Sequence, residues 1–514
     1  MKESDRGPCA GGIGRRDFVL GCAAGAGVAG AMALPGLVRA EKQGRMRIRI
    51  VYALHAVRQD VPDWPNLGFD FGPVMEQINH ALTNALPEIE FLPAYASGAA
   101  QAEAIVLGDL LAGVDGYIVY QMNGWNLVAP TIAATRKPVL FVDYTYGGSG
   151  GFLVFNSIFL RSGVGNVGFV SSLDQADLIA AAKCFETARG DASRFGAAVA
   201  RVRRERTPAA GDLTCRPDPV AAVSPAEVMR RLRQSKILAV GYPGVSFAGI
   251  GLVPVEKIGF AELAAYGKKA DRDQAREIAA RWRQSARVVE GVSDEVLADS
   301  AAMYLGMKAV MERRGANAIT INCLQGFYGG KMSAYPCLGF FELCNAGQVG
   351  ACECDVRSAA TMLAMNALTG GRPGYISDPV IDTSRRQIVY AHCVSSNLPF
   401  GPAGPANPFE ILTHSEDRKG ASVRSLLPEG YMTTTVEFGA ETKKVLIHQA
   451  KTMGNDPNDR ACRTKLAAEP VGDIEKLFTA WDRWGWHRVT VYGDLAEPVS
   501  ALAEALGYKV VKEA

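Results

Sequence analysis

The stretch ACECDVRSAATMLAMNALTGGRP (351–373) sets two carboxylates, Glu353 and Asp355, one residue apart among two thiols, Cys352 and Cys354, at the mouth of an apolar run. Asp355 stands where a helix N-cap would be, with Gly370 and Gly371 at the stop. One reading therefore has Asp355 only accepting a backbone N–H, a contribution of about 1 kcal/mol. If residues 352–355 are extended, alternation puts Glu353 and Asp355 on the same face, where they repel unless a cation or a proton sits nearby. Cys337, Cys344, Cys352 and Cys354 raise zinc as an alternative. The C-x2-C pairs that structural zinc favours are absent, however, and buried cysteines as small apolar packing groups are the simpler account. His487, in WGWHRVTV, heads an apolar run and reads either as a core histidine or as a ligand. His392, in AHCVSS, and His414, in THSE, fall in loops, while His55 and His80 have no motif around them.

Strands alternating with helices must position these groups. RIRIVYAL (47–54) reads as a buried strand, a helical stretch follows over 71–86, and IEFLPAYA, AEAIVLGDLLAG, VDGYIVYQM and TIAATRKPVLFVDYTYGGSGG continue the alternation. This pattern predicts a doubly wound parallel sheet. YGGSGG lacks the Lys-Ser/Thr of a nucleotide loop, so it reads as a turn at the strand ends and not as a phosphate cradle. A second α/β unit is expected from about residue 165, with strands at SKILAVGYPG (235–244) and ANAITINCLQ (316–325). Beyond GGRPG (370–374) short β-prone runs separated by Pro and Gly predict an antiparallel β domain, and HRVTVYGDLAEPVSALAEALGYKVV closes the chain as strand, helix and strand. The expected fold class is thus two doubly wound α/β domains, 41–165 and 166–370, followed by a β-rich domain, 371–514.

Composition narrows the function classes. The 514 residues are 48% hydrophobic and 21% charged, with a net charge of +2, and are too many for one core. No block of Lys and Arg interleaved with aromatics suggests nucleic-acid binding, and RVRRERTP (201–208) reads as a solvated linker. Residues 1–40 look like a twin-arginine export signal: Arg15 and Arg16, then Phe18 and Leu20, a Gly- and Ala-rich weakly apolar run, and Val38-Arg39-Ala40 at the cleavage site. GAGVAG (25–30) matches the dinucleotide fingerprint but lies inside this signal, with no strand before it. No later run is long enough to span a membrane. Export implies a periplasmic or extracellular protein, and an odd set of nine cysteines after removal of Cys9 and Cys22 implies few or no disulfides for a chain folded before transport.

From about residue 235 onward the chain resembles the L-fucose isomerase family. The segments that carry the resemblance are PCLGFFELCNAGQVGACECDVRSAATMLAMNALTG (336–370), IVYAHCVSS (388–396), HSEDRKGASVRSLLPEGYMTTTVEFG (414–439) and WGWHRVTVYGDLAEPVSALAEALG (484–507). The resemblance implies aldose–ketose isomerisation of a monosaccharide, with Mn2+ or another divalent metal held by Glu, Asp and His and a carboxylate moving the proton through an ene-diol. It implies Asp355 and His487 as metal ligands. The family's ligand Glu falls at or close to Cys337, which leaves Glu342 or Glu353 as the third ligand, with Asp355 and Glu353 as the catalytic carboxylates. His392, His414, Glu416 and Arg418 become sugar contacts, and a homo-oligomer is expected. Judged by the family alone the protein would be cytoplasmic. The alternative function is a non-catalytic sugar-binding protein that kept the fold and lost the metal; a third is different chemistry on the same scaffold. Signal cleavage as placed predicts a mature chain beginning at Glu41, and the intact mass of the exported protein checks it.

Overall fold

The computed structural model describes residues 45–189, 191–242 and 250–514. The export signal, its cleavage site and GAGVAG lie outside them, as does the end of the turn after SKILAV. Among the described residues no helix is long and apolar enough to cross a membrane. The chain divides into two compact units, one reaching Val61 and resuming over Gly68–Thr207, the other comprising Pro62–Leu67 and Pro208–Ala514.

The first unit is a parallel five-stranded sheet of β1 (Met46–Ala53), β2 (Ile89–Ala96), β3 (Gly116–Gln121), β4 (Val139–Asp143) and β5 (Val167–Val170), in the order β2-β1-β3-β4-β5. Central strands covered on both faces must be apolar throughout, and every residue of β4 is buried. Ile48, Ile50 and Tyr52 of β1 share a core with Ile78 and Leu82 of the Gly72–Ala85 helix. Because β5 pairs with β4, VGFV (167–170) completes this first sheet instead of opening a second unit. YGGSGG packs tightly onto the end of β3: a Cβ on Gly148 would lie 1.9 Å from the Gln121 carbonyl oxygen. The glycines there allow close backbone approach at the start of the Ser149–Ser162 helix.

The second unit combines three sheets. A parallel sheet in the order β10-β9-β6-β7 is built from β6 (Ile237–Val240), β7 (Val255–Ile258), β9 (Ala318–Ile321) and β10 (Val349–Ala351). A small sheet joins β8 (Val288–Glu290) to the β13 (Phe409–Leu412) and β14 (Ser422–Ser425) hairpin. The remaining strands are β11 (Tyr375–Asp382), β12 (Gln387–His392), β15 (Met432–Gly439), β16 (Lys444–Asn455), β17 (Thr464–Pro470), β18 (Arg488–Tyr492) and β19 (Lys509–Lys512). They run β15-β18-β11-β12-β17-β16, and β16 pairs back onto β15, which closes an antiparallel barrel; β19 adds in parallel to β16. Closure removes the exposed edges that an open sheet would present. The helix Val356–Thr369 touches β9 and β10 on the parallel sheet and β15 and β18 on the barrel, so it is shared by both.

The barrel holds a charged core. Arg488, fully buried, bonds to Glu513 at 2.8 Å and lies 3.9 Å over the Trp481 ring. Glu513 also meets His448 Nδ1 at 2.8 Å, and His448 Nε2 meets the Tyr390 hydroxyl at 2.6 Å. Burial raises the Glu513 carboxyl, but Arg488 and His448 overcome it and hold the pKa at about 2, against an ordinary 4.5. This stabilisation is present above pH 4.5 and is lost as pH falls toward 2. Glu513→Ala, which leaves Arg488 buried without its partner, is expected to cost about 3–5 kcal/mol in urea unfolding at pH 7. The difference from wild type should shrink as the titration is carried below pH 4.5.

Candidate functional site

Strand register brings the site together. β11 pairs with β18 so that Ser377 faces Arg488, which sets Asp378 beside His487 just ahead of β18. β11 pairs with β12 so that Asp378 faces Ala391, next to His392 at the strand end. Glu353 arrives from the turn between β10 and the Val356–Thr369 helix. One ligand atom each from Glu353, Asp378, His392 and His487 lies within 4.8 Å of all the others.

The acidic pair of the turn divides its work. Glu353 and Cys354 both have positive φ, 57° and 58°, so residues 352–355 form a left-handed turn and not the extended segment that would place both carboxylates on one face. Glu353 Oε2 lies 3.5 Å from His487 Nε2, while Asp355 Oδ2 lies 2.9 Å from His487 Nδ1. The two carboxylates thus address opposite nitrogens of one imidazole. Asp355 also caps its helix, accepting from the Ser358 N–H at 3.0 Å and the Ser358 hydroxyl at 2.9 Å. As an acceptor for Nδ1–H it turns the lone pair of His487 Nε2 toward Glu353 and Asp378. Asp355 therefore orients the imidazole and does not stand among the four converging groups.

Asp378 escaped the reading of the sequence. It is 3% exposed, with Oδ1 3.0 Å from His487 Nε2 and Oδ2 3.9 Å from His392 Nε2. A signal existed in YISDPVID: an acidic residue inside an apolar strand is costly unless a partner meets it. Glu342, expected as a third ligand, is instead the acceptor of the Trp282 indole N–H at 2.6 Å and pairs with Arg281 at 3.2 Å. Cys337 is buried in its helix, and the four cysteines weighed for zinc form no ligand group among the described residues.

Charge decides the protonation of the cluster. Burial disfavours a charged His487, yet Asp378, Asp355 and Glu353 raise its pKa well above the usual imidazole range. Burial likewise works against His392, and Asp378 more than restores it. Burial pushes the Asp378 carboxyl up; burial opposes ionisation of Glu353 too, but His487 draws it down. The carboxylates thus create a demand for positive charge that protons or a divalent cation can meet. Asp378 Oδ1 and His487 Nε2, both buried, meet as an ion pair at 3.0 Å, and the buried His392 Nε2 makes no hydrogen bond among the described residues. A buried nitrogen left so is costly, and four ligand atoms converging within 4.8 Å could hold a cation. Two carboxylates and two imidazoles are a donor set that could hold a divalent metal ion. One adjustment is required: His392 Nδ1 accepts the Cys393 N–H at 2.9 Å, which keeps the proton of the neutral ring on Nε2. Ligation through Nε2 would move that proton and give up the contact.

The expected sugar contacts separate. His414 stacks on Tyr335 with centroids 4.2 Å apart; burial opposes its charge, but Cys393, Glu416 and Asp417 lift its pKa to about 9. Glu416 accepts from the Tyr328 hydroxyl at 2.6 Å, and burial raises its carboxyl to about 8, with Glu353 among the charges adding to the shift. Arg418 is committed elsewhere, to Asp459 at 2.7 and 3.0 Å and to Asn66 at 2.9 Å.

No protein-family model matches the chain. It is similar to sulfoquinovose isomerase from Priestia aryabhattai, 22% identical over 218 residues, covering 42% of this chain and 48% of that protein. Sulfoquinovose isomerase from Alkalicoccus urumqiensis is 24% identical over 179 residues, 32% of this chain and 40% of that one. The chain thus spans about half the length of the curated relatives it matches. Among solved structures, an ABC transporter solute-binding protein from Agrobacterium vitis, bound with α-D-tagatopyranose, aligns over 54% of this chain and 76% of that chain at 10% identity, with a TM-score of 0.16.

Glu437 borders the site through Ser358, whose hydroxyl lies 2.9 Å from Asp355 and 3.2 Å from Glu437. Burial and then the Asp355 charge push the Glu437 carboxyl up to about 8. A carboxyl raised in the folded state stabilises below its ordinary 4.5 and loses that contribution as pH climbs through 8. Wild type should therefore lose up to about 1.4 kcal/mol per pH unit across this window relative to Glu437→Gln. Urea midpoints of the two proteins at pH 5 and pH 8.5 check it.

Proposed function

We propose that the protein is an aldose–ketose isomerase acting on a monosaccharide, with a divalent cation held by Glu353, Asp378, His392 and His487. The observation that carries this reading is the convergence of four ligand atoms within 4.8 Å of one another, three of them from buried side chains. A bound divalent ion would polarise the carbonyl and adjacent hydroxyl of an open-chain sugar. Glu353 is the group assigned to proton transfer. Its side chain is 30% exposed, against 2–6% for Asp378, His392 and His487, so it is the member of the set that a substrate reaches. Its carboxylate takes the proton from C2, beside the C1 aldehyde, and returns it to C1, while the hydroxyl proton of O2 passes to O1, leaving the ketone at C2. Asp355 holds the His487 ring in register for this work. Glu416, with Tyr328, and His414 are assigned to the sugar hydroxyls; Arg418 is not. The twin-arginine signal supports an exported enzyme, and the family resemblance supports a homo-oligomer.

The chain purified without added metal or chelator is expected to carry about one divalent ion, by elemental analysis. His487→Ala and Asp378→Asn should lose it. The loaded protein should interconvert an aldose and its ketose, with sulfoquinovose, the sugar in the relatives' name, tested first. A chain that neither holds nor takes up a divalent ion defeats the mechanism. It would favour the sugar-binding alternative, to which the Nδ1 contact of His392 also lends itself.

Asp355→Asn gives a finer test. Asparagine keeps the N-cap, but the ionised carboxyl that meets His487 is lost, so stability at pH 7 should fall by about 1.5–3 kcal/mol. Manganese affinity should fall about 10–100-fold, because the charge orienting His487 is gone. Calorimetric titration with Mn2+ reads the one and urea unfolding the other.

A further inference from the structure

We infer that Cys323 and Cys352 are a redox-active dithiol whose closure to a disulfide acts on the turn that carries Glu353. The two thiols leave the ends of neighbouring parallel strands: β9 and β10 pair with Ala351 opposite Thr320, Cys352 follows β10 directly, and Cys323 opens the short helix Cys323–Tyr328 after β9. Their sulfurs stand 3.2 Å apart, and both residues are buried, 1% and 4% exposed. Cys344 and Cys354 are spent differently. Cys344 Sγ donates to the Gly350 carbonyl and Cys354 Sγ to the Val240 carbonyl.

A disulfide bond is about 2.05 Å long, so closure draws the sulfurs together by about 1 Å. The turn has little freedom to absorb that movement. Cys354 N–H is anchored to the Ile321 carbonyl at 2.9 Å, and between this anchor and Cys352 lies only Glu353, itself at φ 57°. Backbone movement on the Cys352 side of the closure would fall on Glu353. Glu353, the residue next to Cys352, has a side chain 30% exposed, while the two thiols themselves are buried.

The chemistry balances with a peroxide as oxidant. One thiol sulfur attacks an oxygen of H2O2, breaking the O–O bond and leaving a sulfenic acid and water. The second thiol then attacks the sulfenic sulfur, forming the S–S bond and releasing a second water. Two thiols are oxidised by two electrons and one peroxide is reduced to two waters. The result lowers the affinity of the Glu353 cluster for a divalent cation. That consequence rests on the cation reading above; the cross-link itself does not.

The test uses residues 41–514 purified under reductant, then treated with stoichiometric hydrogen peroxide without denaturant. Expected are the loss of two of the nine thiols and a Cys323–Cys352 linked peptide by mass mapping. Manganese affinity should fall about tenfold or more and return with dithiothreitol. Cys323→Ser and Cys352→Ser should each abolish the link, and Cys323→Ser should make manganese affinity indifferent to peroxide. A peroxide-treated protein without this link, or with a link between other cysteines only, overturns the inference. So does a linked protein that binds manganese as tightly as the reduced one. Reduced protein that binds no manganese at all defeats the cation reading, while the peptide map still decides the dithiol.

Discussion

The second unit is organised around one buried imidazole held between carboxylates. His487 has Asp355 at Nδ1, 2.9 Å away, and Asp378 and Glu353 at Nε2, 3.0 and 3.5 Å away. Three acids around a single buried ring are tolerable only if positive charge accompanies them. Every element that reaches this point is fixed by that need. The cap of the Val356–Thr369 helix supplies one acid, the turn before it a second, and a barrel strand the third.

The architecture makes the convergence possible because β18 is inserted between β15 and β11, well away from its neighbours in sequence. That placement carries His487 to the flank of Asp378. The strand is then pinned from within: Arg488 donates to the His487 carbonyl at 2.9 Å and is itself neutralised by Glu513 at 2.8 Å. A charge placed immediately after the imidazole thus serves its backbone, and the barrel core serves that charge. The helix Val356–Thr369 links the two sheets through its packing, so the cap at Asp355 lies where barrel and parallel sheet meet. Rigid elements on both sides are what allow a cluster of like charges to keep its geometry.

Much of this was legible in the sequence. Apolar strands alternating with helices announced parallel sheets, and the β-prone runs after Gly370 announced an antiparallel domain, because periodicity and turn residues act locally. Asp355 declared its cap by standing just before an apolar run ended by glycines, and the structure shows that cap. The E-x-D spacing drew attention to Glu353 and Asp355 together. Which nitrogen of His487 each would meet could not be read, since the answer lies in two left-handed residues that the spacing does not reveal. Glu342 looked available because it is acidic and near in sequence, yet a tryptophan and an arginine from another helix had claimed it.

The sequence by itself determined the elements, the candidate acids and histidines, and the cap, all of which follow from short-range chemistry. Only the tertiary structure decided the membership of the cluster. Asp378, His392 and His487 are brought together by strand register across a closed barrel, and register joins His487 to residues about a hundred positions before it according to which faces can be buried together. The buried aspartate in YISDPVID was visible as a cost; what met that cost was set by the strands on either side of it.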